Sequence, residues 1–367
     1  MLVAIVGGGQ LGQMLALAGI PLGHRFRTLD PSPDAPAGRV SEQIVGAYDD
    51  RQALGRLVDG ADVLTYEFEN VPVEAVRAVE PLVPVLPPPA SLEATQDRLA
   101  EKHLLRDLGI HVAPFAAFHD EASLREARSA VGGGDVVLKT RRLGYDGKGQ
   151  VVLRDGEEAG TVWRDLGPPG GSFLLEGLVG FHRELSIVAV RDLEGRTVHY
   201  PLAENVHREG ILRTSRAPAD VSPEVEAEAA RYADLVLERL GHVGVLAIEL
   251  FETEDALLAN EIAPRVHNSG HWTLEGAETS QFENHVRAIT GMPLGATDPI
   301  GYSTMVNLIG AVPDPAAVAG IPGAHLHLYG KGSRPGRKLG HVTVRSDEAE
   351  RLEELTLKLE VLLADQG

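Results

Sequence analysis

Apolar runs of strand length alternate with polar, glycine-punctuated breaks and amphipathic helical patterns from the first residues onward. Leu2–Val6 is a continuous apolar run, followed by Gly7-Gly8-Gly9-Gln10-Leu11-Gly12 and an Ala/Leu-rich helical stretch to Ala18. Strand and helix patterns continue through Arg25–Leu29, Gln43–Tyr48, Arg51–Asp59, Val63–Phe68 and Val73–Val79. That order predicts an α/β, doubly wound parallel sheet with helices on both faces. Pro84-Val85-Leu86-Pro87-Pro88-Pro89 reads as a stiff linker and domain boundary. Ser91 then reads as the N-cap of a helix through Leu108. Phe115–Phe118 and Val136–Lys139 are predicted strands around a helix at Glu121–Val131, and Val151–Arg154 follows the loop Thr140–Gln150. Phe173–Glu176, Glu184–Val190 and His199–Val206 read as strands, and Glu224–Leu240 as an amphipathic helix. Gly244–Glu252 and the run starting at Leu257 flank the polar turn Thr253–Ala256 and predict a β-hairpin. Beyond it come a helix at Gln281–Ile289 closed by Gly291, short strands at Ser303–Leu308, His325–Leu328 and Gly340–Arg345, and a closing helix.

Composition narrows the function. A chain of 367 residues with 43% hydrophobic and 24% charged residues is expected to fold into two or three domains with a substantial core. With no cysteine, thiol nucleophiles, thiolate zinc sites and disulfides are excluded. The net charge of −19 disfavours nonspecific partners such as nucleic acid or anionic lipid. No apolar run reaches membrane-spanning length, and no basic n-region precedes Leu2, so a cytoplasmic protein is expected.

Several segments then carry candidate chemistry. Gly7–Gly12 has the G-x-G-x-x-G spacing, and Asp30 ends the next strand, which together read as a dinucleotide fingerprint for a nicotinamide or flavin enzyme. The same glycines serve equally for packing or another anion. Gly144, Gly147 and Gly149 with Lys148 form a glycine loop able to wrap an anion. It is not a Walker A loop, because Arg142 stands where that motif needs glycine and Gly149 where it needs Ser/Thr. In the hairpin, a turn centred on Asp255 sets Glu249 opposite Glu261, and two facing carboxylates want a cation between them. With Asn260 adjacent, the pair suits Mg²⁺ shared with phosphates. Arg265, His267, Asn268 and His271 crowd behind it. The His267/His271 spacing resembles a zinc pair, but the turn-like Asn268-Ser269-Gly270 between them and the lack of a further ligand disfavour zinc. Glu184 is an acid in an apolar strand and needs a partner, while Gly332–Lys338 is a basic loop suited to a phosphate.

In this order the parts resemble the ATP-grasp superfamily, and within it the ligases that carboxylate an aminoimidazole ribonucleotide. The resemblance covers almost the whole chain. It rests on GGGQLGQM (7–14), GYDGKGQ (144–150), GILRTS (210–215), NEIAPRVHNSGHWT (260–273) and RPGRKLGH (334–341). It implies an ATP-grasp fold with an N-terminal doubly wound domain (1–90), a central lid (91–180) and a C-terminal ATP-grasp domain (181–367), β-rich at its end from about Gly295. It also implies ATP, Mg²⁺ and bicarbonate as reactants or cofactors, the ribonucleotide as substrate, and a homodimer. By resemblance, Arg98 and Lys139 meet ATP, Glu176 with Gly177, Leu178 and Val179 meets the purine, and Glu184 binds the ribose. Gly144, Tyr145, Asp146, Gly147, Lys148, Gly149 and Gln150 form a flap over the phosphates, with His207 nearby. Glu249 and Glu261 hold the metal, helped by Asn260. Arg265, His267 and Asn268 line the reaction centre. Gln10, Leu11, Glu69, Tyr145, Lys148, Arg337 and Lys338 join Arg265 and His267 around the ribonucleotide. Position 148 is often Arg in the family, and a lysine there offers a point charge without a bidentate grip. The implied reaction activates bicarbonate as carboxyphosphate inside a closed pocket. The alternatives are an ATP-grasp ligase using formate or an amino acid, the nicotinamide enzyme, and a nonenzymatic nucleotide-binding module.

Overall fold

The computed structural model of the protein describes residues 1–144, 148–157, 163, 166 and 171–364. The first sheet contains β1 (Leu2–Val6), β2 (Arg25–Asp30), β3 (Glu42–Val45) and β4 (Val63–Tyr66), with helices α1 (Gln10–Gly19), α2 (Arg51–Val58) and α3 (Val73–Arg77). Its order is β3-β2-β1-β4, all parallel, as the alternating pattern predicts. β1 is apolar throughout because both its faces are covered. Val3 and Ile5 pack with Phe282, Val286 and Ile289 from far along the chain, while Ala4 and Val6 join Leu54, Leu57 and Val76. The first sheet therefore shares a core with the C-terminal half.

At its end one expectation is extended and another corrected. Pro84–Pro89, read as a stiff linker, is also part of the first sheet's edge: Val85 bridges Leu64 in parallel, with Leu64 N donating to Pro84 O and Leu86 N to Leu64 O, each at 2.8 Å. One helix does not run from Ser91 to Leu108. Pro88 caps α4 (Pro89–Thr95), and Pro89 occupies the first turn, where a missing N–H costs nothing. Ser91 lies buried inside α4 and hydrogen-bonds His242. Asp97 then caps a new helix, α5 (Arg98–Asp107), accepting from Leu99 N at 3.0 Å.

The second sheet is antiparallel. It contains β5 (Phe115–Phe118), β6 (Val136–Thr140), β7 (Gln150–Leu153) and β8 (Phe173–Gly177) in the order β5-β8-β6-β7. Helix α6 (Glu121–Ala130) packs on it and begins with a capping box of Asp120 and Ser123.

The third sheet has nine strands. In chain order these are β9 (Arg183–Arg191), β10 (Thr197–His199), β11 (Ala203–Arg208), β12 (Ile211–Ala217), β13 (Gly244–Glu252), β14 (Leu257–Ala263), β15 (Tyr302–Ile309), β16 (Ala324–Leu328) and β17 (Lys338–Ser346). Helices α7 (Pro223–Leu240), α8 (Thr273–Gly276), α9 (Gln281–Thr290), α10 (Pro315–Ala319) and α11 (Ala349–Ala364) accompany it. The strand predicted at His199–Val206 is two strands. Pro201 has no N–H to donate, and Tyr200 turns inward so that its hydroxyl donates to Thr279 O at 2.8 Å. The C-terminal strands are not a separate layer: the path runs β14-β13-β9-β11-β12-β15-β17-β16, with β10 beside β9. Among the described residues no helix is long and apolar enough to cross a membrane.

Candidate active site

The β13–β14 hairpin does set Glu249 opposite Glu261, but not through a turn centred on Asp255. At the turn Glu252 pairs with Leu257 and Thr253 N bonds Ala256 O, which would leave the two acids one residue out of step. A bulge restores the match: Leu250 faces Ala259, Glu249 faces Glu261, and Asn260 is the extra residue between. The side-chain Oδ1 of Asn260 is buried without a hydrogen-bond partner among the described residues.

The two carboxylates have opposite electrostatic surroundings. Burial, and then the charge of Glu261, push Glu249 up to about 7. Burial also opposes ionisation of Glu261, but Arg98, whose Nη1 lies 2.9 Å from its Oε2, outweighs it and brings that carboxyl down to about 2. His267 Nε2 stands 3.5 Å from Glu249 Oε1. Burial and Arg265 push the His267 ring down to about 3, so it is neutral.

These acids open onto a cavity of about 930 Å³ where the three sheets meet. The first sheet contributes Gln10, Leu11 and Glu69, and α5 contributes Arg98. From the second sheet and its loops come Lys139, Gly144, Gln150 and the strand end Glu176, Gly177, Leu178 and Val179. The nine-stranded sheet and its loops supply Glu184, His207, Asn260, Arg265, His267, Asn268 and Lys338. Lys148, Gly149 and Arg337 do not line this cavity; Arg337 donates to Gly332 O at 3.2 Å within its own loop. Tyr145, Asp146 and Gly147 lie outside the described residues.

At one end of the cavity Lys139 Nζ lies 3.0 Å from Glu176 Oε2. Phe181 and Phe251 stack nearby with ring centroids 4.6 Å apart and planes 7° from parallel, an apolar surface suited to a flat ring. The acid in the apolar strand β9, Glu184, has its partner in His207, whose Nδ1 is 2.5 Å from Glu184 Oε2. Burial opposes protonation of His207, but that bond and Glu249 raise its affinity for a proton. Elsewhere on the cavity wall Arg265 is joined to Glu69, and both amide atoms of Asn268 are buried without a partner among the described residues.

The glycine turn does not serve a dinucleotide. Gly8 N donates to Asp30 Oδ2 at 2.9 Å, and Glu67 takes Gly9 N at 2.6 Å and Gly12 N at 2.9 Å. The amides that would grip a pyrophosphate are bonded to the chain's own carboxylates. Asp30 also accepts the Tyr48 hydroxyl at 2.9 Å, leaving it braced inside the domain and away from any ribose. The glycines are needed to admit Glu67: a Cβ on Gly9 would come within 2.4 Å of its Oε1.

His271 packs against Phe282 and His341, and among the described residues no group of three or more His, Asp or Glu side chains converges on one point. Sequence reasoning missed Lys102, Lys331 and the Phe181/Phe251 stack. Lys331 lines the cavity and bonds Gln10 Oε1; its signal was a lone lysine directly before the basic loop. Lys102 carried no local signal.

Sheet topology and facing acids on a cavity shared by three sheets define an ATP-grasp enzyme. Family models agree: a ribonucleotide synthetase preATP-grasp domain over residues 1–96, an ATP-grasp domain over 103–282, and a phosphoribosylaminoimidazole carboxylase C-terminal domain over 303–355. The chain is 49% identical over 363 residues to N5-carboxyaminoimidazole ribonucleotide synthase of Pseudomonas aeruginosa, covering 99% of each. It matches the crystal structure of N5-carboxyaminoimidazole ribonucleotide synthetase from Thermus thermophilus with a TM-score of 0.94 at 52% identity, over 99% of this chain and 98% of that one. The Aspergillus clavatus enzyme, solved with ADP and 5-aminoimidazole ribonucleotide, matches with a TM-score of 0.92 at 29% identity over 99% and 98% of the chains. The chain belongs to the N5-carboxyaminoimidazole ribonucleotide synthase family.

Proposed function

We infer that this protein is an ATP-dependent carbon–nitrogen ligase that carboxylates 5-aminoimidazole ribonucleotide, forming ADP and phosphate, in purine biosynthesis. One observation carries this reading. A single cavity holds a lid lysine, paired acids and the basic Lys331/Lys338 end, in a chain 49% identical to a synthase of that name.

The residues fit Mg²⁺. Glu249 and Glu261 face each other, the raised affinity of Glu249 for a proton marks charge awaiting a cation, and Asn260 Oδ1 is free to add an oxygen. When bound, the ion offsets negative charge on the phosphoryl group being transferred. Lys139 and Arg98 meet the triphosphate, and the Phe181/Phe251 stack with Glu176–Val179 receives the purine. Glu184 takes the ribose hydroxyls beside His207, and Gly144 and Gln150 border the phosphates.

Bicarbonate is a poor electrophile, so one of its oxygens attacks the γ-phosphorus and ADP leaves, giving carboxyphosphate. Arg265, held by Glu69, offsets charge there, while neutral His267 and the unpartnered Asn268 amide line the same place. Carboxyphosphate breaks down to carbon dioxide and phosphate, and closure keeps water from it. The exocyclic amine of the ribonucleotide attacks the carbon and loses a proton, forming the N–C bond. Gln10, Leu11, Lys331 and Lys338 hold the ribonucleotide. Residues 1–90 act as the ribonucleotide wall, 91–180 as the lid and 181–367 as the metal and chemistry platform. A cytoplasmic setting and a homodimer are carried over from the family resemblance.

The test is a coupled ADP-release assay in which aminoimidazole ribonucleotide and bicarbonate are omitted in turn. Release is expected to need both. Full release with formate or an amino acid in their place would assign the chain to another ATP-grasp reaction.

A further inference from the structure

Lys102 has no part in the chemistry above, yet it is only 2% exposed. On α5 it lies one turn beyond Arg98, and Arg98, Glu101 and Lys102 share one helix face. That face ties two sheets together. Arg98 pairs with Glu261, Glu101 accepts Ile262 N at 2.7 Å, and Lys102 Nζ lies 3.4 Å from Glu176 Oε2 on β8. Lys139 approaches the same Oε2 at 3.0 Å. Glu176 is thus a buried acid shared by two lysines, of which only Lys139 reaches the cavity.

That sharing matters when a triphosphate arrives. A buried carboxylate stripped of its partner is strongly unfavourable, so a lysine that is its sole counter-ion cannot leave it for a phosphate. We propose that Lys102 is a positioning residue that keeps Glu176 paired while Lys139 turns to the ATP phosphates. The charges balance through the exchange. Glu176 first lies between two lysines, with Arg98 also acting on it and Glu101 acting on Lys102; afterwards Lys102 keeps Glu176 paired and Lys139 contributes its charge to ATP. Burial opposes ionisation of Glu176, but Lys139 and Lys102 outweigh it and bring the acid down to about 2, as a permanently charged anchor requires. The inference deepens the reading of Lys139 as a phosphate ligand and rests on it.

The test is steady-state ADP release by purified Lys102→Met, Lys102→Arg and Lys139→Met, with a thermal melt of each. Lys102→Met is expected to raise the KM for ATP at least about tenfold and to leave that for the ribonucleotide within about twofold. Lys102→Arg should recover most of the loss. An unchanged KM for ATP in folded Lys102→Met overturns the proposal while Lys139→Met still raises it. If Lys139→Met has no effect on that KM, the phosphate-ligand reading falls and the proposal with it. Should Lys102→Met not fold, Lys102→Met/Glu176→Gln is compared with Glu176→Gln. With the acid neutralised, removing Lys102 should change the KM for ATP less than about twofold, and a further tenfold loss would overturn the role.

Discussion

Glu249 faces Glu261 because Asn260 is an extra residue in β14, inserted between the pair Leu250/Ala259 and the two acids. The bulge turns the hairpin's edge into a site by bringing two carboxylates onto one face.

Glu261→Gln keeps the shape of the side chain but removes the charge that Arg98 and a metal would share, and turns one accepting oxygen into a donor. ADP release dependent on ribonucleotide and bicarbonate should fall at least about 100-fold, with the melting temperature little changed. Near-normal turnover would remove Glu261 from the metal site.

The Arg265–Glu69 pair joins the first sheet to the loop that follows β14. Burial opposes the charge of Glu69, yet Arg265 outweighs it and keeps the carboxyl below its usual range. A denaturation double-mutant cycle with Glu69→Gln and Arg265→Gln should give a coupling energy of about 1–3 kcal/mol. Additive effects would show the pair to be independent.

Lys338 lines the cavity and Arg337 does not. Lys338→Ala should raise the KM for the ribonucleotide about tenfold and that for ATP less than twofold, and Arg337→Ala should do less to either. Equal effects of Lys338→Ala on both substrates would rule out a phosphate clamp at Lys338.

Acid should destabilise the protein through His242, which is fully buried between Ser91 Oγ and Val245 O. Burial pushes its pKa from 6.5 down to about 4, so the folded state keeps it neutral while the unfolded chain takes a proton. Its stabilising contribution is complete above pH 6.5 and is lost as pH falls toward 4, about 3 kcal/mol in all. Urea melts across that range should show a shallower loss in His242→Gln than in the wild type. Parallel slopes would place the acid sensitivity elsewhere, with the equally buried His285 next in line.

Much of this architecture was legible because its signals are local. β1 reads as an apolar run because both its faces are covered, and Gly291 marks the end of α9 because it adopts the left-handed conformation there, φ 73°. The Glu249/Glu261 pair was reached through a symmetric turn, when a bulge produces it. What stayed hidden depends on partners far along the chain. Gly7–Gly12 has the same spacing whether its amides meet a pyrophosphate or Glu67. Ser91 resembles a cap until Pro88 and His242 are seen beside it. The polar Lys102 gives no sign of burial until β8 brings Glu176 against α5. The flap's centre, Tyr145, Asp146 and Gly147, lies outside the described residues.

The path of the largest sheet has a geometric consequence. β14 and β16 are its two edges, seven steps apart, which laid flat would separate them by about 34 Å at ~4.8 Å per strand. Yet Glu261 on β14 and Lys338 at the start of β17, one strand from the other edge, line the same cavity. The sheet must coil until its margins approach, like a cupped palm, and its accumulated twist fixes how far apart thumb and fingers can hold two ligands. The reach between the acids and the basic loop is therefore a property of strand number and twist, and a change in the middle of the palm, far from any substrate, can alter it.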